Sequence, residues 1–383
     1  MMKYYYLRAM LRMLRILYFL LGISLIFSCH KQEKKVLIQK VIRGEAQGTT
    51  YSILFYDSTD VDLRKGVDSL LNVIDQSLST YNPNSFLTSF NTSDSCDLID
   101  NHFIDVFLEA YKVYDLTKGA FDPTILPVLN AWGFGPVDTL KFDSTFTDSM
   151  KYAYMDSLAF ELEDFVGMDM LTIGGDLFMD NSNSYLGGDQ ENWICKELKN
   201  IQLDFNAIAQ GYSVDCLARY LDSFEISSYL VELGGELRSR GTKPNGVPWR
   251  VAIEKPTDLS QQSLAAELNL INRSMATSGN YRKIKMLGNI PLGHTIDPRE
   301  CRPVSNELIS VTVFADDCIL ADAYSTSFMV MGLNESVGFV ENNRTDNLEA
   351  YFIYQDQEGA LKSYVSYGLE SIIQNNIDTE YQN

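Results

Sequence analysis

Residues 202–233 change hydrophobic period twice. QLDF reads as an extended run, AIAQGYSVDCLARYLDSF places Val214, Leu217 and Leu221 at helical spacing, and SYLVEL returns to strand character. A strand that hands over to a helix and back again mixes both elements in one unit, and taken with the pass along the rest of the chain it suggests an α+β body. The flanking sequence repeats the theme. Residues 41–56 read as two strands around a turn at Gly48, while Val67, Leu70, Leu71, Ile74 and Leu78 recur at helical spacing. Phe103, Val106, Phe107, Ala110 and Val113 write a second helix that stops near Gly119. A hairpin with Asn181-Ser182-Asn183 at its tip is expected over 171–187. Strands follow at 249–254, 265–271 and 308–314, then a helix near 318–331, a last helix, and strands near 350–355 and 362–367. With no internal repeat and no long linker, residues 41–383 read as a single large unit of mixed sheets flanked by helices. The stretch 137–165 holds seven acidic and two basic residues and reads as a solvated acidic insertion.

A hydrophobic fraction of 45% with 21% charged residues excludes a disordered chain, a coiled coil and a polytopic membrane protein. The balance of 31 basic against 51 acidic residues, net −20, removes the basic face that nucleic-acid binding requires. An anionic ligand would therefore need positive charge from a metal ion or from backbone N–H groups. The basic residues that do cluster lie at the start: Lys3, Arg8, Arg12 and Arg15 precede an apolar run over 16–28 that is too short for a comfortable bilayer span. That run closes at Ser28-Cys29 and resembles the lipobox of bacterial lipoproteins, although Phe27 departs from the usual small residue. The expectation is a signal peptide over 1–28, lipidation of Cys29 and a tether over 29–40. An ordinary signal peptide or an uncleaved anchor would also leave the bulk of the chain outside the cytoplasm. The other cysteines, Cys96, Cys195, Cys216, Cys301 and Cys318, form no CxxC pair, so neither a disulfide framework nor a zinc site can be read from them. Cys216 and Cys318 fall in apolar helical patterns and read as buried free thiols.

Chemistry-bearing residues gather where these patterns break. Gly119-Ala120-Phe121-Asp122-Pro123 is a turn that presents a carboxylate and backbone groups. At Leu203–Gly211 a strand runs into a helix start, where orphan N–H groups meet anions and a kinked backbone can expose a carbonyl. Glu232-Leu233-Gly234-Gly235-Glu236 ends a strand on two glycines and admits close approach of a planar or phosphate-bearing ligand. Ser274–Gly279 is followed by Gly293–Pro298, a polar loop bounded by Gly and Pro that carries His294 close to Asp297, a pairing suited to proton transfer. On a helix Asp322 and Thr326 are i and i+4, so a carboxylate and a hydroxyl project side by side as hard oxygen ligands for Mg²⁺. Each segment alone also fits a plain structural role: a surface turn, a strand–helix joint, a bulge, or a helix that Asp317 caps while Asp322 faces water.

Taken in order, the set resembles the ApbE family of FAD:protein FMN transferases. The matching stretches are Gly48–Tyr51, Ser79–Tyr81, Gly119–Pro123, Asp204–Asp215, Tyr229–Gly235, Trp249–Pro256, Thr277–Gly279, His294–Pro298, Ser310–Val313 and Ala321–Thr326. The resemblance implies a Mg²⁺-dependent enzyme that moves FMN from FAD onto a Thr or Ser hydroxyl of a partner flavoprotein and releases AMP. It assigns Mg²⁺ to Asp322, Thr326 and the carbonyl of Ala207, and contacts with FAD to Gln47, Tyr81, Ala120, Phe121, Asp122, Gln210 and Ile296. It gives His294 proton movement at the acceptor hydroxyl, with Asp297 orienting the loop. The implied partner is a flavoprotein subunit of a membrane electron-transport complex, met by a lipid-anchored enzyme on the periplasmic side. Gln47 stands where the family commonly has Met, and Asn206 and Gln210 stand in a segment usually richer in Gly with Lys or Glu. A pyrophosphatase giving free FMN and AMP, or an FAD-binding lipoprotein without catalysis, would share most of these residues.

Overall fold

Gln47 and Gly48 both take left-handed backbone, with φ of 50° and 73°. This is the geometry by which a two-residue turn matches the twist of the strands it joins, and it closes a hairpin of Ile38–Ala46 and Thr49–Asp57. The hairpin forms one side of an eight-stranded sheet. Tyr229–Leu233, Glu236–Arg240, Ser274–Gly279, Leu308–Ala315, Glu349–Gln355 and Leu361–Val365 follow across it in that spatial order. Every registered pairing in that sheet is antiparallel. The computed structural model describes residues 36–376 apart from 95, 138–139, 141–146, 176, 180–184, 188–191, 257–262, 281–283, 288 and 344–346, with isolated positions before residue 16. The apolar run over 16–28, Cys29 and the 181–183 hairpin tip lie outside the described residues. The chain divides into Met1–Ile38 and a compact unit Gln39–Asn383.

Alternation along the strands explains the layers. Val311, Val313, Ala350 and Phe352 point into the largest apolar cluster, with helices Asn101–Leu116 and Cys318–Met331 packed over them. Their neighbours Phe314, Tyr351 and Ile353 point the other way. There they meet a small antiparallel sheet of Trp249–Glu254, Leu264–Leu270 and Ile373–Asn376. At the other end of the large sheet Tyr51, Ile53, Phe55, Val231 and Leu233 are covered by Val67 and Leu71 of helix Arg64–Leu78 and by Val214, Leu217 and Leu221 of helix Ala209–Ser223. The α+β expectation therefore holds.

Four local features go beyond or against the sequence reading. The QLDF run forms no strand beyond a single parallel bridge between Gln202 and Ile125. Leu203 and Phe205 are fully buried, and the amide of Asn91 takes over the role of a neighbouring strand: its Oδ1 accepts the Leu203 N–H at 2.7 Å and its Nδ2 donates to the Leu203 carbonyl at 2.8 Å. Ser274–Gly279, to which the sequence pattern assigns no element, is a strand paired with Leu308–Ala315. Within the stretch read as a solvated insertion, Asp148–Leu162 forms a helix that buries Ala159 in a cluster with Trp132, Leu287 and Leu292. Finally, Cys96 and Cys195 form a disulfide that pins Asp97–Leu98 against Trp193–Lys196, while Cys216, Cys301 and Cys318 are buried free thiols. The cross-link spans 99 residues, too far for spacing to reveal it. Replacing both bridged cysteines by serine is expected to lower unfolding stability by roughly 2–4 kcal/mol. Thermal unfolding with and without a dithiol reductant checks it: the reductant should destabilise the native protein and leave the double variant unmoved.

Candidate functional site

Gly211 brings two helices into closest contact. A Cβ there would stand 2.4 Å from the Cys318 carbonyl oxygen and 2.7 Å from the Asp322 Cβ, so only glycine lets Ala209–Ser223 lie against Cys318–Met331 at this point. The freed backbone N–H donates to Asp322 Oδ2 at 2.9 Å. One turn further along the first helix, Asp215 accepts the N–H groups of Cys318 and Ile319 at 3.0 and 2.9 Å and pairs with Arg238. Asp215 thus caps a neighbouring helix. Asp317, the cap in the plain structural alternative, has no capping hydrogen bond and turns its carboxylate to Arg238 at 2.6 Å. These two contacts set how the residues before Ala209 face Asp322 and Thr326.

Asp322 is buried rather than water-facing. Burial pushes its carboxyl up to about 7 against the lowering effect of the Gly211 hydrogen bond. Thr326 lies one helical turn beyond, its Oγ1 3.0 Å from Ser278 Oγ, which also meets Ser325 Oγ at 2.8 Å. Both Asp322 and Thr326 open, with Ala207, onto a cavity of about 1460 Å³. Pockets for single small molecules usually measure roughly 300–1,000 Å³, so there is room for a dinucleotide and a segment of a second polypeptide.

The other expected residues line the same cavity. Ala120, Phe121 and Asp122 come from the turn after helix Asn101–Leu116, Gln210 from the start of helix Ala209–Ser223, and Ile296 and His294 from the segment after strand Ile290–Gly293. Gln47 reaches in from the hairpin turn, donating from Nε2 to Ser213 Oγ at 2.7 Å. Tyr81 stands at the rim, 63% exposed. Asp297 is the exception: it is not on the cavity wall, and its carboxylate is taken by Arg299, with Nη2 at 2.9 Å and Nε at 3.0 Å. It anchors the loop that carries His294 and does not face the reacting groups.

The cavity wall also holds acids that sequence reasoning left unassigned. Asp204 accepts from Asn206 N–H and Nδ2, both at 2.8 Å, and burial pushes its carboxyl up to about 6. Glu236 has its Oε2 buried with no hydrogen-bond partner; burial first and the charge of Asp322 second hold its carboxyl well above the usual range. The strand–helix joint and the double glycine marked both segments, but which side chain each would bury depends on packing. Asp122 accepts the N–H and Oγ1 of Thr124 at 2.8 and 2.6 Å, and burial pushes it up to about 7. An acid raised in the folded state stabilises the fold at low pH, and that contribution is lost as pH rises from its unfolded value near 4 to about 7. Against wild type, Asp122→Asn should remove up to about 1.4 kcal/mol per pH unit of this slope. Thermal melts between pH 4 and 8 give the comparison; parallel curves would contradict the burial account.

Nine carboxylate side chains line the cavity and no Lys or Arg does, among the described residues. Nor, among those residues, do three or more His, Cys, Asp or Glu side chains converge as a metal cluster. A cation here would draw on hydroxyl and carbonyl oxygens as well, which is the hard-oxygen chemistry of Asp322, Thr326 and Ala207. The donor set fits Mg²⁺.

The ApbE family model matches residues 47–352. The FAD:protein FMN transferase of Vibrio cholerae is 32% identical over 353 residues, covering 91% of this chain and 95% of that protein. Its counterpart from Haemophilus influenzae is 31% identical over 87% of this chain and 90% of its own length. Among solved structures, the flavin transferase ApbE of Vibrio cholerae superposes with a TM-score of 0.70 and 31% identity, covering 88% of this chain and all of that one. The apo flavinyl transferase of Pseudomonas stutzeri gives 0.69 and 28%, over 89% and 98%. A family match running from the hairpin turn at Gln47 to the strand at Phe352, agreeing with fold and cavity alike, shows that the chain belongs to the ApbE family.

Proposed function

We propose that the protein transfers FMN from FAD to a Thr or Ser hydroxyl of a partner flavoprotein, with Mg²⁺ bound, and releases AMP. The observation that carries this reading is the charge of the cavity: among the described residues its wall holds nine carboxyl groups and no Lys or Arg, an environment that disfavours a bare pyrophosphate, and the Asp322, Thr326 and Ala207 oxygens supply a place for the cation that offsets this. When bound, Mg²⁺ supplies charge neutralisation to the pyrophosphate oxygens. In the transfer, the P–O bond between the FMN phosphorus and the bridging oxygen breaks. A new P–O bond forms to the acceptor oxygen, and AMP departs with the bridging oxygen. The acceptor proton passes to His294, which stands on the cavity wall. Phe121 and Ile296, both buried, give the cavity its apolar surface for a ring system, and Gln47 and Gln210 give it amide groups.

The basic and apolar run that closes at Ser28-Cys29 supports export and lipid anchoring, and the Cys96–Cys195 disulfide suits an oxidising compartment. A periplasmic acceptor in a membrane electron-transport complex is the partner that the family resemblance implies, and it is compatible with that placement. The test is a denaturing gel of protein, FAD, Mg²⁺ and a candidate acceptor domain. Flavin fluorescence that stays with the acceptor band is expected. Free FMN and AMP alone would establish a pyrophosphatase, and intact bound FAD would establish a carrier.

A further inference from the structure

Six acidic side chains are buried among the described residues: Asp122, Asp204, Asp215, Glu236, Asp297 and Asp322. Five of them have their charge met. Asp215 and Asp297 pair with arginines, Asp122 and Asp204 accept from neighbouring hydroxyl, amide and backbone groups, and Asp322 accepts the Gly211 N–H. Glu236 differs. It is 7% exposed, its Oε2 has no partner, and among the described residues no Lys or Arg lines the cavity wall beside it. A buried carboxylate oxygen left unpaired costs several kcal/mol unless something cationic or hydrogen-bonding reaches it.

Its position says what reaches it. Glu236 begins the strand that follows Gly234 and Gly235, whose φ values of 68° and 118° turn the chain back at the cavity wall. That strand packs against helix Cys318–Met331, and Glu236 and Asp322 line the same cavity. We propose that Glu236 belongs to the cation site: its free Oε2 and the Asp322 carboxylate jointly face the divalent ion, so that two negative side chains balance two positive charges. The inference rests on the reading of Asp322, Thr326 and Ala207 as holding Mg²⁺, and adds a carboxylate to them. The competing role for Glu236 is a neutral carboxylic acid that donates a hydrogen bond to the dinucleotide, and glutamine imitates that role while it cannot imitate the charge.

The experiment is a Mn²⁺ titration of the full-length protein without FAD, read by the loss of the free-ion electron paramagnetic resonance signal, on wild type, Glu236→Gln and Asp322→Asn. Glu236→Gln is expected to weaken Mn²⁺ binding at least about tenfold and to shrink the rise in melting temperature that Mn²⁺ produces, while its metal-free melting temperature equals or exceeds that of wild type. If Glu236→Gln binds Mn²⁺ as wild type does and Asp322→Asn does not, the proposal falls and the Asp322 reading stands. If wild type itself takes up no Mn²⁺, both fall. Should the glutamine variant fail to fold, Glu236→Ala measured in the same way decides between the same outcomes.

Discussion

Asp322→Asn is expected to reduce FMN transfer by about 10²–10³-fold, the scale on which a preorganised charge at a reacting phosphate acts. Asparagine keeps the shape of the side chain and an oxygen for the Gly211 N–H, so the contact between the two helices survives. It also removes a buried negative charge, and the metal-free protein should be no less stable than wild type. Loss of activity without loss of fold then reports on the cation. Initial rates against Mg²⁺ concentration, with melting temperatures alongside, separate the two quantities. An unchanged Mg²⁺ dependence would remove Asp322 from the metal site and with it the explanation of how this acidic cavity accepts FAD.

His294→Ala should slow flavin attachment by roughly 10²–10⁴-fold and leave FAD affinity within a few-fold of wild type. The separation follows from position. His294 borders the cavity on the segment anchored by the Asp297–Arg299 pair, whereas Asp322 and Thr326 project from the helix Cys318–Met331. Single-turnover attachment to an acceptor domain and fluorescence titration of FAD give the two numbers. Attachment at nearly the wild-type rate would transfer the proton step to another group or to water.

Much of this site was legible in sequence because its parts obey local rules. Asp322 and Thr326 are a turn apart on any helix, the Gln47-Gly48 turn requires left-handed backbone, and the strand at 308–315 carries its alternation in its own residues. The runs that misled did so for a shared reason: their partners are remote in the chain. The QLDF run has strand composition but receives its hydrogen bonds from Asn91, and Asp317 sits where a cap belongs while Asp215 supplies one from another helix. The acidic stretch 137–165 looks solvated by composition, yet within it Ala159 finds cover in the Trp132 cluster.

Hydrophobic period, turn residues and helical spacing were enough to determine an α+β fold and the side-by-side projection of Asp322 and Thr326, since each depends on neighbours within one or two turns of chain, while the remaining cavity residues came from the order of motifs that carries the family resemblance. Burial was decided only by the tertiary structure. Whether a carboxylate is paired, raised or left bare depends on which distant residues close over it. For that reason the Cys96–Cys195 bridge, the Asp215 cap and the uncovered oxygen of Glu236 emerge only once the chain is packed.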